Sequence, residues 1–339
     1  SGRDVYRLSE TPACRAAVVT RMPRFIPGEG PLDAPLLVLG EAPGAQESAQ
    51  GRPFVGPAGL RLDEWLRHAG LSRLGCRIDN VYPSQPPGNK IETISADELA
   101  PHVARLHQQL ALMPNLRVVA PLGNTALGAL TGLRQITKRR GSILAYVDQR
   151  GREIKVIPTL HPAAVLREPR WNARSLRDWS RIAGDLAFPE LRLPEREHLI
   201  RPTFDDIQAF YFAAERSPET PLAFDIETPG GRIACVGFSL NPAFSIPVPT
   251  TPEYWRGTHE IAWEWVRALL GLPNPKITHN GLFDYYWLAD DGVSPVAWDY
   301  DTLAMHHALD PADEHSLAFL ASIDTRQPFW KDMKDAKDD

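Results

Sequence analysis

The sequence predicts an α/β protein of two domains, the first organised on a parallel sheet and the second on a mixed one. Three observations carry this. Residues 36–39 (LLVL) form an apolar run of strand length, followed by the glycine-rich stretch 40–59 and then by Leu62, Trp65, Leu66 and Ala69 at helical spacing, with Gly70 as a stop. Residues 118–122, Gly123 and residues 124–127 repeat the order strand, glycine turn, helix. From Pro221 onward, residues 222–228, 233–240 and 243–248 read as successive strands of a meander.

At 339 residues the chain is long enough for two domains, and 43% hydrophobic with 23% charged residues is ordinary globular composition. No apolar run approaches 18 residues, so no membrane span or membrane partner is expected, and no signal-peptide pattern opens the chain. Cys14, Cys76 and Cys235 are scattered and odd in number, which fits a reduced, cytoplasmic setting better than a disulfide framework. The net charge of −5 does not advertise a nucleic-acid binder, but its distribution is uneven. Seven basic residues against two acidic ones lie between Arg134 and Lys155, and Arg167, Arg170, Arg174, Arg177 and Arg181 follow. Such a run is either a phosphate-contacting face or simply a solvated one.

The loop at residues 40–59 (GEAPGAQESAQGRPFVGPAG) sits at the carboxyl end of a strand, where open α/β sheets place their ligand crevice. Its five glycines allow tight turns and close approach to a ligand. Phe54 can stack on a flat base or pack beneath its own loop. Residues 77–81 read as a short strand that ends by exposing Asn80, whose amide offers both a donor and an acceptor. A turn-forming Asn ahead of a Pro-rich loop is the plainer alternative. Residues 136–141 (ITKRRG) read as a basic loop suited to phosphate contacts through Lys138, Arg139 and Arg140. Residues 154–160 form an apolar strand that delivers His161, ahead of Pro162 and Arg167. The helix after Gly123 reads as scaffold.

Taken together, Gly40-Glu41-Ala42-Pro43-Gly44, Glu47, residues 51–56 (GRPFVG), Asn80 and residues 161–167 (HPAAVLR) resemble the ordered motifs of the uracil-DNA glycosylase superfamily, in its family 4 and 5 branch, over residues 10–188. The resemblance implies a three-layer α/β/α domain that excises uracil from DNA. It implies that Asn80 reads the base, that Phe54 and Glu47 line the uracil pocket, and that Glu41, Asn80 and His161 serve the chemistry. Lys138, Arg139, Arg140 and Arg167 would contact DNA. Relatives in this branch carry an iron–sulfur cluster on four cysteines. Here Thr11 and Cys14 stand at the first pair, and Ser84 and Ala100 near the third and fourth positions, so no cluster is expected. Ala42 stands where the best-known members place a water-activating aspartate, and Gly141-Ser142 stands where some relatives place a histidine that traps uracil. Covalent capture is therefore not expected, and either Glu41 or Glu47 is left to orient water.

Residues 189–203 hold Pro189, Pro194 and Pro202 with mixed charge and no periodicity, and read as a linker between a domain at 1–188 and one at 204–339. In the second domain Asp225 and Glu227 are two apart on a predicted strand, so both carboxylates point to one face. Asp284 falls in the first turns of a helix. Singly, such acids are usually solvated. The ordered set FDIET, HNGLFD and YDTL resembles the 3′–5′ exonuclease domain of family A DNA polymerases, with a ribonuclease H-like fold. That resemblance implies Asp225, Glu227 and Asp284 as ligands for Mg²⁺ or Mn²⁺. The family's fourth acid lies in a Tyr-x-x-x-Asp helix that has no counterpart here, since the chain ends on KDMKDAKDD. The chain therefore reads as the front part of a phage-type polymerase, with a polymerase domain following in cis, in preference to a second domain that is an incomplete nuclease binding DNA and cutting poorly. The competing reading makes the first domain a non-catalytic binder of uracil or DNA.

Overall fold

The computed structural model describes residues 24–327. Cys14 and the acids after Trp330 fall outside them. In the first domain β1 (Leu36–Gly40) is followed by α1 (Ala45–Gln50), α2 (Pro57–His68), β2 (Arg77–Asn80), α3 (Ala96–Leu112), β3 (Val118–Pro121) and α4 (Asn124–Thr131). Then come α5 (Ile136–Arg139), β4 (Leu144–Val147), β5 (Glu153–Val156), α6 (Pro162–Arg167) and α7 (Asn172–Asp185). The sheet order is β2-β1-β3-β5-β4, parallel except for the β4–β5 pair. β1, at the centre of the strands that carry the site, is buried along its whole length, as a run of unbroken apolar residues requires in a sheet covered on both faces.

The helices form two groups, α2–α6–α7 and α3–α4, each packed on the sheet. Trp65 of α2 and Trp179 of α7 are both fully buried, their ring centroids 6.5 Å apart, and the Trp65 indole N–H donates to Asn172 Oδ1 at 2.9 Å. Helix starts follow local chemistry. Pro57 and Pro162 occupy first-turn positions where a missing N–H costs nothing, and Ser95 caps α3 by accepting from the Glu98 amide.

The second unit begins at β6 (Glu197–His198), a two-residue strand inside the stretch read as linker, which pairs with β9. It continues through α8 (Phe204–Glu215), β7 (Leu222–Glu227), β8 (Cys235–Asn241), β9 (Phe244–Pro249), α9 (His259–Leu270), β10 (Lys276–Thr278), α10 (Gly281–Asp290), β11 (Trp298–Asp301), α11 (Thr302–Leu309) and α12 (Leu317–Asp324). The order β11-β10-β7-β8-β9-β6 mixes an antiparallel meander, β7 to β9, with parallel pairings at both margins. Its core, under α8 and α9, is separate from that of the first domain. Phe319, Leu320 and Ile323 of α12 form a third small cluster, and α12 packs against α5 of the first domain.

The segment read as an exposed basic loop is a helical turn instead. Arg139 and Arg140 are buried, and only Lys138 of the three faces solvent. Burial of the Trp65–Trp179 pair makes the α2–α7 contact a main support of the first domain. Trp65→Ala is expected to destabilise that domain by about 3–5 kcal/mol, read as a lower denaturant midpoint in the near-ultraviolet circular dichroism of the tryptophans.

Candidate active site

At the carboxyl ends of β1, β2 and β3 lies a cleft of about 970 Å³. Its size is at the upper end of the range for ligand pockets, roughly 300–1,000 Å³. Phe54, Asn80 and His161 all line it, together with Glu41 and Glu47. Three separated motifs of the sequence are thus brought to one cavity.

Glu47 shapes the loop. One carboxylate oxygen accepts the amides of Val55 (3.1 Å) and Gly56 (2.9 Å), and the other accepts the amide of Gly44 (3.2 Å). A carboxylate that gathers three backbone N–H groups leaves little capacity for water, so Glu47 is a loop clamp. The clamp spans Phe54, which is held with φ of 51° and buried. A bulky residue with positive φ persists only where its surroundings over-determine it. Arg73 adds to this by donating to the carbonyls of Pro53 (2.7 Å) and Phe54 (3.0 Å).

Gly40 ends β1 directly opposite Asn80 on β2. A Cβ there would lie 2.4 Å from Asn80 Oδ1 and 2.6 Å from the Phe54 ring. Only glycine lets the amide and the ring sit side by side. Asn80 is buried at 3% exposure, its backbone carbonyl held by Arg105 at 2.8 Å, and its Oδ1 has no hydrogen-bond partner among the described residues. An orphaned buried acceptor costs about 1–3 kcal/mol, a cost that a ligand donor would offset.

His161 caps α6. Its Nδ1 accepts the Ala163 amide at 3.2 Å, which leaves the proton of the neutral ring on Nε2. Its ring centre is 5.8 Å from that of Phe54. Burial, with Arg167 adding to it and Glu47 opposing it, lowers the imidazole to about 4. The ring is therefore a neutral donor at ordinary pH.

Glu41 differs from Glu47. One of its oxygens accepts the Thr125 hydroxyl at 2.5 Å across the cleft, and among the described residues no backbone amide is bonded to its carboxylate. Thr125 opens α4, the helix that the sequence pattern marked only as scaffold. Arg167 is exposed at the cleft, and so is Lys90, which pattern reading did not single out. Lys138 is exposed on α5 but does not line the cleft. Arg139 donates to the Arg134 carbonyl at 2.8 Å, and Arg140 is bonded to Asp178 and Asp313, so neither is placed for phosphate contact.

In the second unit Asp225 and Glu227 do share the exposed face of β7. Asp284 is buried instead, with Oδ1 accepting the Ile226 amide at 3.1 Å, and burial lifts its carboxyl to about 6. Among the described residues no three His, Cys, Asp or Glu side chains form a group able to hold a metal ion. Asp284 Oδ1 is thus bonded to the strand that carries Asp225 and Glu227, and the charge of nearby Asp225 adds to the rise of the Asp284 carboxyl. Asp301 also serves the backbone, accepting the amides of Asn280, Gly281, Leu303 and Ala304.

The depressed His161 carries a stability consequence. Its folded value lies below the usual 6.5, so the unfolded chain binds the proton first as pH falls. Relative to His161→Gln, the native protein is expected to lose stability as pH drops from 7 towards 4 and to change no further below that. Denaturant unfolding at pH 7 and pH 4.5 measures the difference.

The profile of the uracil DNA glycosylase superfamily matches residues 27–183. The chain is 39% identical over 142 residues to a type-4 uracil-DNA glycosylase of Thermotoga maritima, covering 41% of this chain and 70% of that protein. It is 34% identical over 166 residues to the type-4 enzyme of Pyrobaculum aerophilum, covering 47% and 82%. A DNA polymerase of Bacillus phage SP01 is 26% identical over 326 residues, covering 84% of this chain and 33% of that protein. With the motifs joined around one cleft and relatives matched over most of their length, the chain belongs to the uracil DNA glycosylase superfamily.

Proposed function

We propose that the first domain hydrolyses the bond between uracil and deoxyribose in DNA. The observation that carries this reading is the orphaned Asn80 Oδ1, buried beside Phe54 and facing the same cleft as His161. Uracil supplies what that atom lacks, a donor at N3–H, while its O4 can accept from the Asn80 amide nitrogen. Cytosine has no donor at N3. Phe54 gives the flipped base a face to stack on.

As the C1′–N1 bond breaks, its electron pair stays with the base and the sugar gains cationic character. The His161 Nε2–H donates to the base at O2 and stabilises the anion as a neutral hydrogen-bond donor. Glu41, with Thr125 fixing one oxygen, orients the water that adds to C1′ and accepts its proton. Glu47 is excluded from that role by its three amide partners. Arg167 and Lys90 hold the flanking phosphates at the mouth of the cleft, positioning the strand without reading its sequence. A domain that only bound uracil would not need a carboxylate tethered at the edge of the cleft.

For the second unit, the carboxylate face of β7 and the similarity to a phage DNA polymerase across most of the chain support a polymerase-associated, nuclease-like module. With Asp284 Oδ1 already accepting the Ile226 amide, it is read as a unit that holds DNA beside the glycosylase rather than one that cuts it.

An oligonucleotide with a single uracil is expected to yield an alkali-labile abasic site. His161→Ala and Asn80→Ala are each expected to lower the single-turnover rate by about 10²–10³-fold, the scale of one lost transition-state donor. An unchanged yield in both variants, or uracil-dependent binding with no abasic product from the native chain, would leave only the binding module. With a 3′-labelled strand and Mg²⁺, residues 1–339 are expected to show no trimming. Trimming that disappears in Asp225→Ala would restore the exonuclease assignment.

A further inference from the structure

The first domain does not complete its own site framework. Strand β5 runs on past Val156 into residues 157–159, where the Thr159 amide donates to the Pro121 carbonyl at 3.1 Å and the Gly123 amide donates to the Thr159 carbonyl at 3.1 Å. Two residues later stands His161. The Thr159 hydroxyl donates to Asp178 Oδ2 at 2.8 Å, and Asp178 Oδ1 accepts from Arg140 at 3.1 Å. The other arm of the Arg140 guanidinium donates to Oδ2 of Asp313 at 2.8 Å. Asp313 follows α11, in the second unit, 173 residues further along the chain. All three charged side chains are at most 3% exposed, and Arg174 closes the set by pairing with the other Asp313 oxygen at 3.2 Å.

A buried guanidinium between two carboxylates is stable only with both in place, because removing one leaves charge uncompensated in a dry interior. The docking is broad. Arg140 lies over the Phe319 ring at 5.1 Å, Arg181 donates to the carbonyls of Ser322 (2.9 Å) and Ile323 (2.5 Å), and Arg326 pairs with Asp185 at 2.8 Å. A simple tether between two independent domains would need none of these contacts.

We propose that residues 310–327 of the second unit act as a positioning element for the glycosylase site, with Asp313 fixing the strand end that presents His161 through Arg140, Asp178 and Thr159. The second unit is thus a partner in cis of the first domain's chemistry. The substrate does not touch Asp313, so its loss should act on the rate of bond breaking more than on binding.

The inference rests on the glycosylase reading for its rate but not for its geometry, and the test separates the two. In the full chain, Asp313→Asn is expected to lower the single-turnover excision rate by about tenfold, as small misplacements of a catalytic group do, with affinity for uracil-containing DNA changed by less than about twofold. Hydrogen exchange of the peptide spanning residues 157–163 is expected to quicken in the same variant. Where Asp313→Asn does not fold, Arg174→Gln, which removes a pair at the partly exposed edge, is expected to move both readouts in the same direction by a smaller factor. Quickened exchange in the Asp313→Asn variant, beside a native chain that never excises uracil, would keep the positioning element and sink the glycosylase. Excision and exchange both unchanged in a folded variant would reduce the contact to simple docking and overturn the proposal.

Discussion

The site depends on one carboxylate. Glu47 collects the amides of Gly44, Val55 and Gly56 and so ties the two ends of a glycine-rich loop to a single point. Between those ends Phe54 is forced into a left-handed conformation and tucked against Gly40, beside the Asn80 amide. Without the clamp, the ring has no reason to keep an unfavourable backbone and the cleft loses its wall. The left-handed Phe54 and the unmet Asn80 acceptor meet at the wall of one cleft.

The two acids of the loop divide their labour by what surrounds them. Glu47 and Glu41 are six residues apart and chemically equivalent in isolation. Three N–H donors saturate the first, whereas a single hydroxyl steadies the second and leaves capacity over the cleft. His161 shows the same dependence on setting. Its role as the cap of α6 spends Nδ1 on a backbone amide, and burial keeps the ring neutral, which leaves the proton on Nε2.

The arginines that looked like a DNA face are in good part structural cement. Arg140, Arg174 and Arg181 turn inwards to receive residues 310–327, and Arg326 turns back to meet Asp185. The charge run is real, but its destination is another part of the same chain, where desolvated ion pairs demand exact partners and resist being pulled apart. Part of the arginine run thereby serves recognition within the chain, with Asp313 as the acid that Arg140 and Arg174 meet.

The sequence by itself determined the fold class, most of the strands though not β4, β6 or β11, and Glu41, Glu47, Phe54, Asn80 and His161 of the cleft lining. Apolar strand runs, glycine turns and capping residues are local signals, and Phe54, Asn80 and His161 sit in motifs that survive as short strings. Only the tertiary structure decided which glutamate is held by backbone amides, that Arg139 and Arg140 are buried, that Asp284 bonds the Ile226 amide, and that Thr125 lines the cleft. Several of those outcomes depend on a partner supplied by a distant stretch, 173 residues away for Arg140 and 84 for Glu41. A side chain's chemistry is written in the sequence. Its hydrogen-bond partners and its exposure to water are properties of the packed chain, and those are what set whether a charge holds, reads or reacts.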